Sequence, residues 1–191
     1  MTASPAAWRV DDGAAVSFRD ATVAWALAAH GVLVETAKGY GHFVTINDLG
    51  AQVQEMSGVR TGAPTRTWVD AVLRKVARRC HAAGEPPLTA LCVRPNHTVT
   101  DSYRYVLELA GLPVPEDIEL HAAYARWQCY AAHGTDVPVG VPPLTPKVAA
   151  KRGLSVERAE PKAEPARARM CGECFVQLPA SGICGFCNPS R

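Results

Sequence analysis

The clearest helical pattern in this sequence lies at residues 65–80, which read TRTWVDAVLRKVARRC. At about 100° per residue, its apolar side chains fall within about 60° of one another and predict a single buried stripe. The members of this stripe are Val69, Val72, Leu73, Val76 and Cys80. The pattern predicts an amphipathic helix from about Thr65 to Ala83, which the following segment Gly84-Glu-Pro-Pro ends.

The opposite side of this predicted helix is basic. Lys and Arg displace condensed counterions from a phosphate backbone, and Arg can also bind guanine edges in the major groove. We therefore expect this side to contact double-stranded DNA, and the alternative is a solvated helix face without a partner. The residues on this side or beside it are Arg66, Thr67, Ala71, Arg74, Lys75, Arg78 and Arg79.

Two further helices are predicted before residue 65. The first runs from Arg19 to about Lys38, with Asp20 in its first turn and Val23, Leu27, Val34 and Ala37 as its apolar positions. The alternative is a helix that ends at His30, followed by a short strand through GVLVETA. A turn and short strand follow within residues 39–46, and then a helix that Thr45 or Asn47 caps and Gly58 ends.

After the basic helix, the segment from Leu88 to Val93 has the length and alternation of a strand, and residues 94–98 form a turn. Helices are predicted at about residues 102–110 and 115–132. The second of these has one apolar side, made of Ile118, Ala122, Ala125 and Cys129.

This order of elements is that of a winged helix-turn-helix, in which the third helix is the recognition helix and the strands after it form the wing. Arg94 and His97 at the predicted wing tip would then add phosphate contacts, as would Lys38 and Arg60. Residues 19–110 resemble the winged-helix DNA-binding domain of alkyltransferase-like proteins. The resemblance is one of pattern, and it implies DNA binding through the third helix.

The chain departs from alkyltransferases at their reactive cysteine. Those enzymes place it in a Pro-Cys-His-Arg motif, whereas this chain has Ala90-Leu-Cys-Val93. Without an adjacent histidine to favour the thiolate, Cys92 is interpreted as a buried core thiol, as are Cys80 and Cys129. We therefore expect no alkyl transfer and no enzyme activity.

The carboxyl-terminal residues predict a zinc ribbon. Cys171-Gly-Glu-Cys174 and Cys184-Gly-Phe-Cys187 are two Cys-x-x-Cys knuckles separated by nine residues. Four thiolates suit one tetrahedral, structural Zn²⁺, and metal binding would supply most of the folding free energy of so small a module. A redox dithiol pair and an iron–sulfur cluster are the alternatives.

The predicted fold class is mainly α with a small β wing, followed by the zinc ribbon. Residues 1–16 are expected to form a flexible arm, 17–133 the winged-helix-like domain, 134–169 a Pro/Ala/charged linker, and 170–191 the ribbon. The net charge of +2 neither requires nor excludes a polyanionic partner. The sequence shows neither a membrane span nor a secretory signal, so we expect a cytoplasmic protein with reduced cysteines.

The sequence therefore predicts a non-enzymatic DNA-binding protein, and its Ala- and Arg-rich composition suggests a bacterial or phage regulator. One alternative is a protein adaptor that binds a recombinase, a nuclease or RNA polymerase through the winged-helix domain and the ribbon. The other is a DNA-processing enzyme. No small-molecule substrate is predicted.

Overall fold

The structure, a computed structural model, describes residues 7–154, which are mainly helical with two small sheets. The six α-helices of this part are α1 (Phe18–Ala37), α2 (Ile46–Ser57), α3 (Val69–Ala83), α4 (Ser102–Leu109), α5 (Ile118–His133) and α6 (Pro146–Lys151). Its strands are β1 (Ala7–Arg9), β2 (Ala15–Val16), β3 (Val44–Thr45), β4 (Val59–Arg60) and β5 (Cys92–Val93). No helix of the described residues is long and apolar enough to cross a membrane.

Helix α1 is continuous, so the alternative of a strand after His30 is wrong. Its start is capped by Ser17, whose hydroxyl accepts a hydrogen bond from the Asp20 backbone N–H. The predicted apolar stripe has the wrong phase, because Val23 and Leu27 are exposed. The residues that α1 buries, of which only Ala37 belongs to the predicted stripe, are Ala21, Thr22, Trp25, Ala29, Val32, Leu33 and Ala37.

Two tryptophans join α1, β4 and α3 in the centre of the core. The rings of Trp25 and Trp68 are both fully buried, with 4.4 Å between their centroids. The Trp25 indole N–H donates to the Val59 carbonyl oxygen at 2.8 Å, so this buried polar group is satisfied. Trp68, although it stands beside the basic residues in the sequence, is a core residue.

Helix α2 begins and ends as predicted. The Thr45 hydroxyl accepts from the Asp48 backbone N–H, and Gly58 takes the left-handed conformation at the carboxyl end. Inside α2, Gly50 lies directly against Thr65, where a Cβ atom would overlap the Thr65 methyl group. The absence of a side chain therefore lets α2 pack closely on the 3₁₀ turn Thr65–Thr67 that precedes α3.

The predicted strand Leu88–Val93 is wrong for its first four residues, which form a 3₁₀ helix, Leu88–Leu91. All four are buried, and a short apolar run that is buried on every side has no periodicity to separate helix from strand. Only Cys92–Val93 form a strand, β5, which pairs in parallel with β3. The turn at residues 94–98 is closed by one antiparallel bridge between Val93 and Val99.

The predicted flexible arm is wrong for residues 7–16, because β1 pairs with both β2 and β4 in an antiparallel sheet. Between the two strands, Asp11 and Asp12 side chains accept backbone hydrogen bonds, and Gly13 has a positive φ of 68°. Asp-Gly is a favoured turn sequence between two strands, so Asp11-Asp12-Gly13 favours this hairpin.

The predicted linker is also wrong at its amino-terminal end, since the compact unit continues past residue 133 and includes α6. Thr145 and Val148 are buried, and the Thr145 hydroxyl donates to the His97 carbonyl oxygen at 2.8 Å. Arg152 forms two hydrogen bonds, of 2.5 and 2.9 Å, with the Asp117 carboxylate. The predicted zinc ribbon and the rest of the predicted linker lie outside the described residues.

Substitution of Trp68 by Ala should lower the free energy of unfolding by about 3–5 kcal/mol, because it leaves a cavity beside Trp25. Urea denaturation followed by circular dichroism measures this change. The matched control is Trp127→Ala, since Trp127 is only half-buried and should cost less than about 1.5 kcal/mol. Equal losses for the two variants would contradict the central role of Trp68.

Substitution of Asp117 by Asn should release α6 while leaving α5 capped, because Asn still accepts from the Leu120 N–H but carries no charge for Arg152. Limited trypsin digestion should then cut faster at Lys147 and Lys151. Arg152 lowers the pKa of Asp117, so the contact should hold at every pH above the usual carboxylate range and be lost only in strong acid. Asp136→Asn is the control, and equal digestion of all three proteins would contradict the contact.

Candidate nucleic-acid interface

The amphipathic prediction for α3 is confirmed. All five residues of the predicted stripe are buried, and Ala77 joins them. On the other side, Arg66, Thr67, Ala71, Arg74, Arg78 and Arg79 are exposed and Lys75 is half-buried. The buried stripe thus fixes the rotation of α3, and most of the predicted basic residues reach solvent together.

These cations have no acidic partner within the described residues. No ion pair within residues 7–154 includes Arg66, Arg74, Lys75, Arg78 or Arg79. Other basic side chains of the same part are paired, such as Lys38 with Glu35 at 2.6 Å. We define the basic face of α3 as the residues 66, 67, 74, 75, 78 and 79.

One aromatic side chain organises the middle of the basic face. The Tyr105 ring on α4 lies 5.0 Å from the Arg74 guanidinium carbon and 5.9 Å from that of Arg78. Cation–π contacts of this kind hold a guanidinium in place without neutralising its charge. Tyr105 was not predicted, because nothing in the spacing of residues 102–109 indicates that α4 lies beside α3.

Residues 65–67, which the sequence predicted as the first turn of this helix, form a 3₁₀ turn that precedes α3. The Thr67 hydroxyl donates to the Pro64 carbonyl oxygen at 2.6 Å and remains at the surface. Arg66 is exposed beside it. Both residues therefore lie at the amino end of the basic face.

Arg94 is used inside the fold rather than presented with the basic face. Its guanidinium donates to the Val99 carbonyl oxygen at 2.9 Å and forms an ion pair with Asp101 at 2.6 Å. The same contact lowers the pKa of Asp101. Arg94 thus holds the turn at residues 94–98 and is largely neutralised.

His97 also has internal partners. It has a positive φ of 65°, its ring packs edge-on against Phe43, and its carbonyl oxygen accepts from Thr145. Burial, together with the nearby Lys147 charge, lowers the pKa of His97, which disfavours the cationic ring that a phosphate contact would use. Arg94 and His97 therefore both have internal partners, unlike the basic side chains of the face of α3.

The three cysteines of the described part are buried, as the sequence predicted. Burial raises the pKa of Cys80 to about 11 and that of Cys129 to about 12, and it raises the pKa of Cys92 further. A thiol so far from its thiolate form is a poor nucleophile at neutral pH. The predicted zinc ligands Cys171, Cys174, Cys184 and Cys187 lie outside the described residues.

No protein-family model matches this chain, and neither a curated protein nor a solved structure gives a significant match. The resemblance to the winged-helix domain of alkyltransferase-like proteins therefore stays a prediction.

Proposed function

We propose that this protein is a non-enzymatic DNA-binding regulator that contacts double-stranded DNA through the basic face of α3. The observation that supports this most directly is the exposure of three arginines on α3 and of Arg66 just before it, none of which forms an ion pair within residues 7–154. Such side chains gain free energy from releasing the counterions of DNA, and this gain disappears when an arginine already has an internal carboxylate.

In this proposal α2 and α3 act as a helix-turn-helix, with α3 as the recognition helix. The close contact between Gly50 and Thr65 supports it, because α2 then supports the end of α3 that would enter the major groove first. The single bridge between Val93 and Val99 makes the turn at residues 94–98 too small to be a paired-strand wing. DNA contact would therefore depend on α3 more heavily than in a winged helix with a long hairpin.

The proposal does not include chemistry on the DNA. The deep burial of Cys92 supports this, since the residue that would correspond to the alkyltransferase nucleophile is enclosed by the core. Cys171, Cys174, Cys184 and Cys187 are proposed to hold one structural Zn²⁺ in a ribbon that can bind DNA or a protein partner.

The decisive test is charge reversal on the basic face. Arg74→Glu combined with Arg78→Glu should weaken binding to random duplex DNA at low salt by more than about tenfold, because two phosphate contacts are replaced by repulsion. Fluorescence anisotropy with a labelled duplex measures the affinity. The wild-type affinity should also fall steeply as the salt concentration rises.

The matched control is Arg19→Glu combined with Lys151→Glu. It changes the net charge equally, at exposed positions on α1 and α6. This control should keep most of the affinity. If both variants lose affinity equally, binding depends on total charge and α3 is not the interface. If the wild-type protein does not bind duplex DNA at low salt, the adaptor alternative is favoured instead.

Removal of the predicted zinc ligands should separate the roles of the two modules. Cys171→Ser combined with Cys174→Ser should reduce the bound zinc by one ion per chain, measured by inductively coupled plasma mass spectrometry. Duplex affinity should fall only modestly if the α3 face carries binding. An unchanged zinc content would refute the ribbon.

A further inference from the structure

Three potential metal ligands from different parts of the chain meet near the carboxyl end of α3. They are the His30 ring on α1, the Cys80 thiol on α3, and the Glu85 carboxylate just after α3. One ligand atom from each lies within 4.8 Å of the other two, and His30 Nε2 is 2.7 Å from Glu85 Oε2. We call these three residues the His–Cys–Glu cluster.

The end of α3 places Glu85 over Cys80. Gly84 is left-handed, with a φ of 67°, and its N–H donates to the His81 carbonyl oxygen. The Glu85 N–H then donates to the Cys80 carbonyl oxygen at 2.9 Å. This pair of hydrogen bonds is a Schellman motif, which turns the chain back over the last helical turn. Two of the three ligands are therefore fixed by one local structure.

The third ligand comes from tertiary packing. His30 is the only member on α1, and its side chain is 14% exposed, so it has little freedom to turn away. The cluster thus combines two ligands that one local structure holds with a third that the packing of α1 holds.

One nitrogen, one sulfur and one oxygen ligand suit Zn²⁺, with bonds of about 2.0–2.3 Å. Tetrahedral coordination requires a nitrogen-to-oxygen separation of about 3.3 Å, so His30 and Glu85 must separate by roughly 0.6 Å. The Glu85 side chain is 32% exposed and can make this movement.

A fourth coordination position is available beside the cluster. Cys80 and Glu85 both line a cavity of about 290 Å³ between α3, α4 and α5. Leu107, Val106 and Tyr103 form part of its other walls. A water molecule from this cavity can complete four-coordinate zinc, which leaves that position exchangeable.

We propose that His30, Cys80 and Glu85 bind one Zn²⁺, distinct from the ion of the predicted ribbon, and that this ion ties α1 to the end of α3. On binding, the Cys80 thiol releases its proton to solvent, and His30 gives up the Nε2 proton that it donates to Glu85 and takes the Nδ1–H tautomer. The hydrogen bond between His30 and Glu85 is thereby replaced by two metal bonds. Because the unfolded chain does not hold these ligands together, the ion also stabilises the fold. The inference does not depend on DNA binding.

The test counts zinc in the full-length protein. Native mass spectrometry of the wild type after incubation with Zn²⁺ should show one ion more than Cys80→Ala and one more than His30→Ala. Cys92→Ala, which removes another fully buried thiol of the same core, should keep the wild-type count. These differences in zinc count are expected whether or not the carboxyl-terminal cysteines bind zinc. A protein without a zinc ribbon would therefore still show the loss of one ion on substitution of Cys80 or His30.

A second readout identifies the ligands directly. We expect Co²⁺ added to the variant in which Cys171, Cys174, Cys184 and Cys187 are all Ser to give thiolate-to-metal charge-transfer absorption, and Cys80→Ala in that background to remove it. Glu85→Gln should weaken Co²⁺ binding at least tenfold without unfolding the protein. If the zinc count and the spectrum are the same with and without Cys80, the cluster is an ion pair over a buried thiol and the proposal is wrong.

Discussion

The contact between Trp25 and Trp68 is the interaction on which the described fold depends. The two rings meet in the core, and the indole N–H of Trp25 is satisfied by the Val59 carbonyl oxygen. Because the contact joins α1, β4 and the start of α3, it sets where α3 begins and which side it buries. The exposure of Arg74 and Arg78 is therefore a consequence of core packing as well as of their own polarity.

The sequence predicted α3 well because polar and apolar residues alternate along it with the period of a helix. The buried side of α1 was harder to predict, since alanine at positions 21, 24, 26, 28 and 29 fits either a buried or an exposed side. The phase of α1 was decided by Trp25, whose burial needs a partner ring and a carbonyl oxygen from distant segments. The strand prediction for residues 88–91 was wrong for a related reason. All four residues are buried, so no alternation between a buried and an exposed side distinguishes a strand from a helix.

The basic face was predicted from residues close in sequence. The side chains from other elements that contact its arginines were not predicted. Tyr105 reaches Arg74 and Arg78 only because α4 packs beside α3, and Glu85 reaches His30 across 55 positions of sequence. Arg94 and His97 were predicted as phosphate contacts because the order of elements places them at a wing tip. In the structure Arg94 forms an ion pair with Asp101, and the His97 ring packs against Phe43. The turn that carries them also contacts α6, whose Lys147 donates to the Pro95 carbonyl oxygen. Tertiary contacts of this kind leave no local signal in one sequence.

The parallel pairing of β3 with β5 has a consequence for how the molecule folds. Val44 and Cys92 lie on either side of α2 and α3, so their pairing closes a loop that contains both helices. The entropy lost on closing a loop of this size is recovered only once the enclosed segment is compact. The hairpin of β1 and β2 and the helices form from near neighbours, and the β3–β5 ladder should therefore be among the last structures to appear during folding.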